Sequence, residues 1–296
     1  MPGIVDVPGV EVFGKGRAEF ALPCGYVDGA GKVHRNVVMR ELTGVEEDMM
    51  DDDDVTVTER MSNVLAECCE RLGEETNKDV IRRAIRDDLA VGLPITSTDR
   101  IAMMIFLRRT SMGDLYKFSR RCPVCGHVNK NKSLDLRTLE MKFVPEVRAA
   151  KRRVEAVLPR SKRRAIMRVL TAKHEAKLTG LRPQQKDLKS LSILARVESI
   201  EVDMPKSDAE GGGVKTVMKQ LDDPVVGLEI IKALPSEDRA YMRQVYDAME
   251  ADVDTTVEVG CDNRACGIDF SFVLDLGQAF FLNPVEEVTA EALNWL

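Results

Sequence analysis

The stretch Asp99–Met103 (Asp-Arg-Ile-Ala-Met) decides how the chain is organised, because a similar stretch, Asp238–Met242 (Asp-Arg-Ala-Tyr-Met), follows in the second half. A Leu-Pro pair comes shortly before each stretch. A cysteine follows each aspartate at the same distance, at Cys122 and at Cys261. A Leu-Asp-Leu triplet comes after each cysteine pair. Landmarks that recur in the same order and register indicate an internal tandem duplication.

The upstream part of each half repeats as well, since a Leu-Pro pair leads to Met39–Thr43 in one half and to Met167–Thr171 in the other. We therefore divide the chain into an N-terminal arm, a first repeat, a second repeat and a C-terminal tail, comprising residues 1–17, 18–145, 150–282 and 283–296. The patterning predicts an α+β fold. Each repeat is expected to contain a β-hairpin, a small helical bundle and a second β-hairpin that carries a zinc knuckle.

Local patterns support this plan in the first repeat. Two strands are predicted between Glu19 and Met39, and the Asp-Gly turn between them supplies the backbone conformation that a hairpin requires. Thr43 is a suitable N-cap for a helix with acidic residues in its first turn. Thr58 is predicted to cap a second helix, whose apolar face runs from Met61 to Leu72.

The composition is that of an ordinary globular protein, with 296 residues, 44% hydrophobic and 31% charged. The net charge of −6 argues against a dedicated nucleic-acid binder, because phosphate binding needs an excess of Lys and Arg. The sequence contains no run of about 20 apolar residues that would predict a membrane span, and its N-terminus does not resemble a signal peptide. We therefore expect a cytoplasmic protein with reduced thiols.

Two cysteine pairs carry the clearest chemistry. The first is Cys122-Pro123-Val124-Cys125-Gly126, and the second is the longer Cys261-Asp262-Asn263-Arg264-Ala265-Cys266-Gly267. Each pair is followed by glycine and flanked by strand patterns, which is typical of a metal-binding knuckle. Together the four thiolates suit a structural, tetrahedral Zn²⁺ held jointly by both repeats.

Other interpretations of the cysteines remain open from sequence. A pair could be a vestigial knuckle without metal, or each pair could bind its own ion with a further ligand such as His127. The cysteines could also form a redox disulfide. A thioredoxin-like site is disfavoured, because the pair lies between strands and not at a helix N-terminus.

Residues 148–168 contain nine Lys or Arg and a single acid, Glu155. This basic segment is either a solvated hairpin or a docking surface for an acidic protein partner. The candidate partner-binding residues are Arg152, Arg153, Lys162, Arg163 and Arg164. The histidines form no catalytic pattern with Ser, Cys or acidic residues, and no phosphate-binding loop is present. The sequence therefore predicts a protein that is not an enzyme.

The chain also resembles a family of baseplate-associated proteins of contractile-tailed bacteriophages and related injection systems, including myophage baseplate hub assembly proteins. The resemblance covers most of residues 18–140 and, more faintly, 152–282. It rests on an ordered series of motifs. The first is a Leu-Pro-x-Gly-Tyr hairpin with Asp-Gly and His-Arg, and it is followed by Met-Arg-x-Leu-Thr-x-x-Glu-Glu. Then come Asp-Arg before an apolar helix, Met-Gly-Asp, the cysteine knuckle and Leu-Asp-Leu. These residues are Leu22, Pro23, Gly25, Tyr26, Asp28, Gly29, His34, Arg35, Met39, Arg40, Leu42, Thr43, Glu46, Glu47, Asp99, Arg100, Met112, Gly113 and Asp114.

The resemblance implies a non-enzymatic structural or assembly protein of a tail baseplate, with other tail and baseplate proteins as its partners. It would work in the host bacterial cytoplasm during assembly or in the baseplate of the virion. The second hairpin departs from the pattern, because it lacks the Gly-Tyr and Asp-Gly pairs. Two alternative functions are a zinc-ribbon regulator that binds nucleic acid and a thiol-based redox switch.

Overall fold

The computed structural model describes residues 11–12, 16–179, 187–205 and 214–281 and has a mixed α/β fold with antiparallel sheets. Most of the predicted arm and the whole predicted tail, 283–296, lie outside the described residues. The elements before residue 150 are β1 (Glu11–Val12), β2 (Arg17–Val27), β3 (Val33–Arg40), α1 (Gly44–Met50), α2 (Val57–Cys68), β4 (Cys69–Leu72), α3 (Lys78–Arg86), α4 (Ser97–Met112), β5 (Leu115–Arg121), β6 (Val128–Asp135), a 3₁₀ turn (Leu136–Thr138), β7 (Met141–Lys142) and α5 (Glu146–Ala149).

The later part of the chain follows a similar order. Its elements are β8 (Arg153–Val157), β9 (Arg164–Arg168), α6 (Ala172–Thr179), α7 (Leu188–Leu194), β10 (Val197–Pro205), β11 (Val214–Gln220), α8 (Pro224–Ala233), α9 (Ser236–Met249), β12 (Asp252–Val253), β13 (Thr256–Gly260), β14 (Asp269–Val273) and α10 (Gln278–Phe281). Strands β1-β2-β3-β4 form one antiparallel sheet and β8-β9-β10-β11 form another. Short β7 pairs with β12, and β5–β6 and β13–β14 are separate hairpins. None of the helices in the described part of the chain combines the length and apolar character needed to cross a bilayer.

The predicted first hairpin is confirmed. Strands β2 and β3 pair on either side of a turn in which the Asp28 carboxylate accepts hydrogen bonds from the amides of Ala30 and Lys32, both at 2.9 Å. Gly31 has a φ of +83°, a conformation that favours glycine. The turn chemistry in the sequence therefore fixes this hairpin locally.

The second predicted helix begins two residues earlier than expected. Thr56, not Thr58, is the N-cap of α2, and it forms a reciprocal capping box with Glu59. Leu72 does not belong to the helix face, because it lies in β4 and pairs with Val37 of β3. The spacing of Leu72 fits the apolar face of a helix, but a buried position in a strand also takes an apolar residue, so the spacing alone does not distinguish the two.

Two hydrophobic cores lie under the two four-stranded sheets. The larger core joins the first sheet, α2, α3 and α4, and it includes Phe20 stacked on Phe106 with ring centroids 3.8 Å apart. This core also contains Val257 and Val259 of β13. The smaller core joins the second sheet with α7, α8 and α9. The later knuckle hairpin thus packs on the core of the earlier part of the chain.

Two buried aspartates make equivalent contacts in the two halves. Asp99 and Asp238 are both fully buried near the start of a helix, α4 or α9. Each carboxylate accepts hydrogen bonds from the two backbone amides that follow a Leu-Pro pair. The donors are Cys24 (2.8 Å) and Gly25 (3.1 Å) for Asp99, and Arg160 (2.7 Å) and Ser161 (3.1 Å) for Asp238.

A second set of contacts recurs at the repeated Leu-Thr pair. The amide of Leu42 donates to the Ser111 hydroxyl at 2.9 Å, and the amide of Leu170 donates to the Glu250 carboxylate at 3.0 Å. Ser111 and Glu250 stand at the same offset from the aspartates of the two halves. At the next position, the threonine hydroxyl contacts the side chain three residues later, in Thr43–Glu46 at 2.7 Å and in Thr171–His174 at 2.8 Å.

Glu46 allows a test of how the N-terminus of α1 contributes to stability. Glu46 is 1% exposed, and its carboxylate pairs with Arg40 at 2.6 Å. Arg40, followed by Thr43, lowers the pKa of Glu46 from 4.5 to about 2. Because one pKa unit corresponds to about 1.4 kcal/mol, we expect Glu46→Gln to lower the free energy of unfolding at pH 7 by on the order of 3 kcal/mol.

The sign of the pH dependence follows from the lowered pKa. The stabilisation is present above pH 4.5 and is lost as the pH falls from 4.5 towards 2, where the native carboxylate is protonated. Urea denaturation of both proteins between pH 7 and pH 3 should therefore show the difference shrinking at the acidic end. Glu47→Gln is the matched control, since Glu47 is an exposed residue of the same helical turn. A constant difference across this range would contradict the ion-pair explanation.

Candidate metal centre

The first knuckle connects β5 to β6. The amide of Cys122 donates to the carbonyl of His127 at 2.8 Å, and the amide of Gly126 donates to the carbonyl of Cys122 at 3.0 Å. Gly126 has a φ of +74°, so the glycine permits the sharp reversal after Cys125. The short sequence therefore folds both sulfurs towards the same side of the hairpin tip.

The second knuckle connects β13 to β14 in the same manner. The amide of Cys261 donates to the carbonyl of Ile268 at 2.9 Å, and the amide of Gly267 donates to the carbonyl of Asn263 at 2.9 Å. Gly267 has a φ of +57°. The additional residues form a wider turn in which the Asn263 side chain accepts from the amide of Ala265 at 3.1 Å. The longer spacing thus preserves the geometry at both cysteines.

All four predicted metal-ligating sulfurs meet at one point. The sulfurs of Cys122, Cys125, Cys261 and Cys266 lie within 4.8 Å of one another and could hold a metal ion. The Cys122–Cys266 separation is 4.0 Å and the Cys125–Cys261 separation is 3.6 Å. Four sulfurs around a tetrahedral Zn²⁺ at about 2.3 Å would be about 3.8 Å apart. The cluster therefore has the dimensions of a four-thiolate site.

The sulfurs differ in their affinity for protons. The backbone amide of His127, followed by the neighbouring thiols, lowers the pKa of Cys125 to about 7. Burial, followed by the sulfurs of Cys125 and Cys122, raises the pKa of Cys261 to about 12. Without a cation, the cluster therefore favours few deprotonated thiols. A divalent cation would compensate for the further charges as the remaining thiols lose their protons.

His127 was considered from sequence as an additional ligand. Among the residues that the structure describes, the group of converging ligands at this point consists of the four cysteines and does not include His127. The contribution of His127 comes from its backbone, which contacts both cysteines of the first knuckle.

Asn129 joins the two knuckles and was not recognised from the sequence. Its side chain is fully buried, donates to the carbonyl of Arg120 at 3.1 Å and accepts from the amide of Asp262 at 2.7 Å. Lys132 of the first hairpin also pairs with the Asp262 carboxylate at 2.7 Å. These contacts fix the register of one knuckle against the other without involving a sulfur.

Aromatic side chains on the inner face of the hairpins support the same arrangement. Phe118 packs edge-on against Phe272 with centroids 5.3 Å apart, and Tyr116 packs against Phe280 at 5.2 Å. The Arg120 guanidinium lies over the Phe272 ring at 4.5 Å. The alternation of β5 therefore directs Phe118 towards the second knuckle hairpin and Tyr116 towards α10.

Replacing Asn129 with alanine tests whether these contacts stabilise the paired knuckles. Because Asn129→Ala removes a buried side chain that joins the Arg120 carbonyl to the Asp262 amide, we expect a loss of about 2 kcal/mol in the free energy of unfolding, measured by urea denaturation. Asn131 is an exposed neighbour with a positive φ of 54°, so Asn131→Gly should change stability by less than about 0.5 kcal/mol. Equal effects of the two substitutions would show that Asn129 does not clamp the knuckles.

The three remaining cysteines are separate from the cluster. Cys24, Cys68 and Cys69 are buried, and desolvation raises the pKa of each to about 12. Such thiols remain protonated and behave as small apolar residues. The interpretation of Cys68 as a core residue is confirmed.

The basic segment needs a correction at Arg152. This residue is only 7% exposed, and its guanidinium donates to the backbone carbonyls of Pro94, Gly25 and Ala149, so it does not present its charge to a partner. Three other candidates pair with acids of β10, while Lys162 is exposed at the β8–β9 turn. These pairs are Arg153–Glu198, Arg163–Asp203 at 2.9 Å and Arg164–Glu201 at 2.7 Å. Much of the expected positive surface is therefore neutralised within the sheet.

Comparisons of the chain with protein-family models, with curated proteins and with solved structures give no match.

Proposed function

We propose that the chain is a non-enzymatic structural or assembly protein whose two knuckles clasp a single Zn²⁺ through Cys122, Cys125, Cys261 and Cys266. The observation that carries the proposal is the convergence of four sulfurs within 4.8 Å, two from each knuckle. Four thiolates suit tetrahedral Zn²⁺ and close its coordination shell. A closed shell has no position for water or substrate, so the ion would stabilise the fold and not catalyse a reaction.

We also propose that the two halves derive from one duplicated module. The equivalent contacts of Asp99 and Asp238 with the turns after the Leu-Pro pairs support this origin. The recurring contacts at Leu42 and Leu170, whose acceptors are different residue types, support it further. Because these interactions link the repeated sequence motifs to one another, the duplication explains why the motifs recur in the same order.

The assignment to a contractile-tail baseplate rests on the sequence resemblance across residues 18–140. Its Leu-Pro-x-Gly-Tyr, Asp-Arg and knuckle motifs all take part in defined contacts, since Gly25 meets Asp99 and Cys122 joins the cluster. In this role the clasp would hold the two halves in a fixed orientation while exposed faces bind other tail proteins. The protein would act in the host cytoplasm during assembly or remain in the baseplate.

Metal analysis of the purified chain tests the clasp. We expect one zinc per wild-type chain and loss of that zinc in a Cys261→Ser variant of unchanged mass by size exclusion. Cys68→Ala is the control, because it removes a buried thiol that lies outside the cluster and should leave the zinc content unchanged. Retention of a full equivalent by the Cys261→Ser variant would show that Cys122 and Cys125 hold the ion without the second knuckle. A stoichiometric internal disulfide without zinc would favour the redox switch.

A specific observation keeps nucleic-acid binding as a second candidate. The β5–β6 hairpin carries several basic residues and has no Asp or Glu between positions 115 and 134. These basic residues are Lys117, Arg120, Arg121, Lys130 and Lys132. Against this function, Tyr116 and Phe118 pack inwards and cannot stack on bases in this arrangement.

Partner binding separates the two candidates. Co-expression with tail-tube, tape-measure and wedge proteins, followed by purification at low and high salt, should yield a complex that survives high salt. Gel-shift titrations with duplex DNA and with RNA should show weak binding without sequence preference. Tight nucleic-acid binding that falls steeply with salt, together with no captured tail protein, would overturn the baseplate function.

A further inference from the structure

A cavity of about 260 Å³ lies where the two halves meet. Helices α2 and α4 form its apolar wall, α6 contributes Glu175, and the segment Asp275–Gly277 after β14 forms the facing side. The apolar wall contains Met61, Ile101 and Met104, and the exposed side chain of Val57 lies at its rim. The cavity is separate from the cysteine cluster, yet one side of it follows directly from the second knuckle hairpin.

The size and lining of the cavity indicate what it could accept. An apolar cavity of about 150 Å³ already binds benzene, so this one has room for an aromatic side chain and the methylene groups of a neighbouring residue. Methionine side chains adapt their shape and make favourable sulfur contacts with aromatic rings. Aromatic side chains are also common anchors of protein–protein interfaces. The apolar wall therefore suits an aromatic anchor from another protein.

The charges at the cavity indicate what should flank that anchor. Arg100 is 95% buried and pairs with Glu175 at 2.8 Å, which accounts for one of the two lining carboxylates. The Asp275 carboxylate is exposed and accepts from the amide of Gly277 at 3.0 Å. No Lys or Arg in the described ranges lies within ion-pair distance of Asp275. The lining therefore carries one uncompensated negative charge, which favours a cation beside the apolar anchor.

We propose that this cavity is a docking pocket for a partner protein segment that inserts an aromatic side chain and places an adjacent lysine or arginine beside Asp275. The proposal adds a partner-binding site to the proposed function, and it rests on that function because the metal clasp is expected to hold one wall of the pocket. Because only the buried Leu274 separates Asp275–Gly277 from β14, the metal clasp would fix one side of the pocket. Loss of the ion should therefore weaken docking even where the pocket residues are intact.

The test uses the full chain labelled with ¹³C at the methionine methyl groups and the capped dipeptide N-acetyl-Phe-Lys-amide as the probe. We expect saturable shifts of the Met61 and Met104 signals, and no shift of Met242, which is buried in the other core. The probe N-acetyl-Phe-Glu-amide should bind at least threefold more weakly, and Asp275→Asn should remove that difference. Absence of saturation at millimolar concentrations, or equal shifts at Met242, would overturn the proposal.

One substitution should block the pocket, and a matched substitution at an equally exposed valine outside the pocket serves as its control. Val57 and Val45 are 63% and 64% exposed and lie near the starts of neighbouring helices. Val57→Trp should weaken probe binding at least fivefold because the indole covers the rim, whereas Val45→Trp should leave it unchanged. Equal binding by both variants would place the probe elsewhere.

The two proposals fail separately in these measurements. If the purified chain holds no zinc but the probe still shifts Met61 and Met104, the docking pocket stands and the metal clasp is wrong. If zinc is present and the probe does not bind, the clasp stands and the pocket is wrong. If chelation removes zinc without changing probe affinity, the inferred dependence of the pocket on the clasp is overturned.

Discussion

Removing the proposed Zn²⁺ from the wild-type chain is expected to lower its melting temperature by about 6 °C. An ion that binds only the native state stabilises it by about 4 kcal/mol when its free concentration is a thousand times its Kd. With an unfolding entropy of about 2.1 cal/mol/K per residue, each kcal/mol changes the melting temperature of this 296-residue chain by about 1.6 °C. Thermal denaturation with and without a strong chelator measures the effect.

The control is a chain that lacks the site but keeps both hairpins. In a Cys122→Ser and Cys266→Ser double variant, one ligand is removed from each knuckle, and the chelator should no longer change the melting temperature. Wild-type protein that loses its zinc to the chelator and melts at the same temperature would contradict a stabilising role. The proposed clasp would then be a binding site without influence on the fold.

The second large effect is expected for Asp99→Ala. The Asp99 carboxylate accepts hydrogen bonds from the amides of Cys24, Gly25 and Thr96 and from the Thr96 hydroxyl, all within a fully buried site. Hydrogen bonds to a charged group contribute more than neutral ones, and their buried donors would lose their acceptor. We expect a loss of about 4 kcal/mol in the free energy of unfolding, measured by urea denaturation.

Asp238→Ala provides the comparison between the halves. Asp238 is equally buried and accepts from the amides of Arg160 and Ser161, so its loss should cost less, about 2–3 kcal/mol. Asp88→Ala, at an exposed position, should have an effect below about 0.5 kcal/mol. If both buried aspartates behaved like Asp88, the contacts that relate the two halves would have no role in stability.

Features that depend on neighbouring residues could be predicted from the sequence. The Asp28 turn, the Thr43 cap and the glycines after both knuckles each involve residues only a few positions apart. Their conformations follow from local sterics and hydrogen bonding, which the sequence displays directly. The convergence of the two cysteine pairs was expected for a different reason, because only the repeated order of motifs suggested that the distant knuckles meet.

Features that depend on long-range packing could not be predicted. The strands β10 and β11 could not be recognised from the sequence, because β10 is held between β11 and the more distant β9, where Val197 pairs with Met167. Arg152 was expected at the surface, because the residues next to it in the sequence do not indicate that the carbonyls of Pro94 and Gly25 accept hydrogen bonds from its guanidinium. The role of Asn129 could not be predicted, since its partner, Asp262, is distant in the sequence.

The packing of β13 on the core of the earlier part of the chain has a consequence for biosynthesis. A nascent chain that has emerged only as far as the second sheet lacks Val257 and Val259, so the apolar surface they cover is still open. It also lacks Cys261 and Cys266, so the first knuckle offers an ion only two sulfurs. Synthesis of the β13–β14 hairpin therefore closes this core and adds the third and fourth sulfurs of the cluster. Polypeptides terminated before Thr256 should be sensitive to proteases and, under the proposed clasp, poor in zinc.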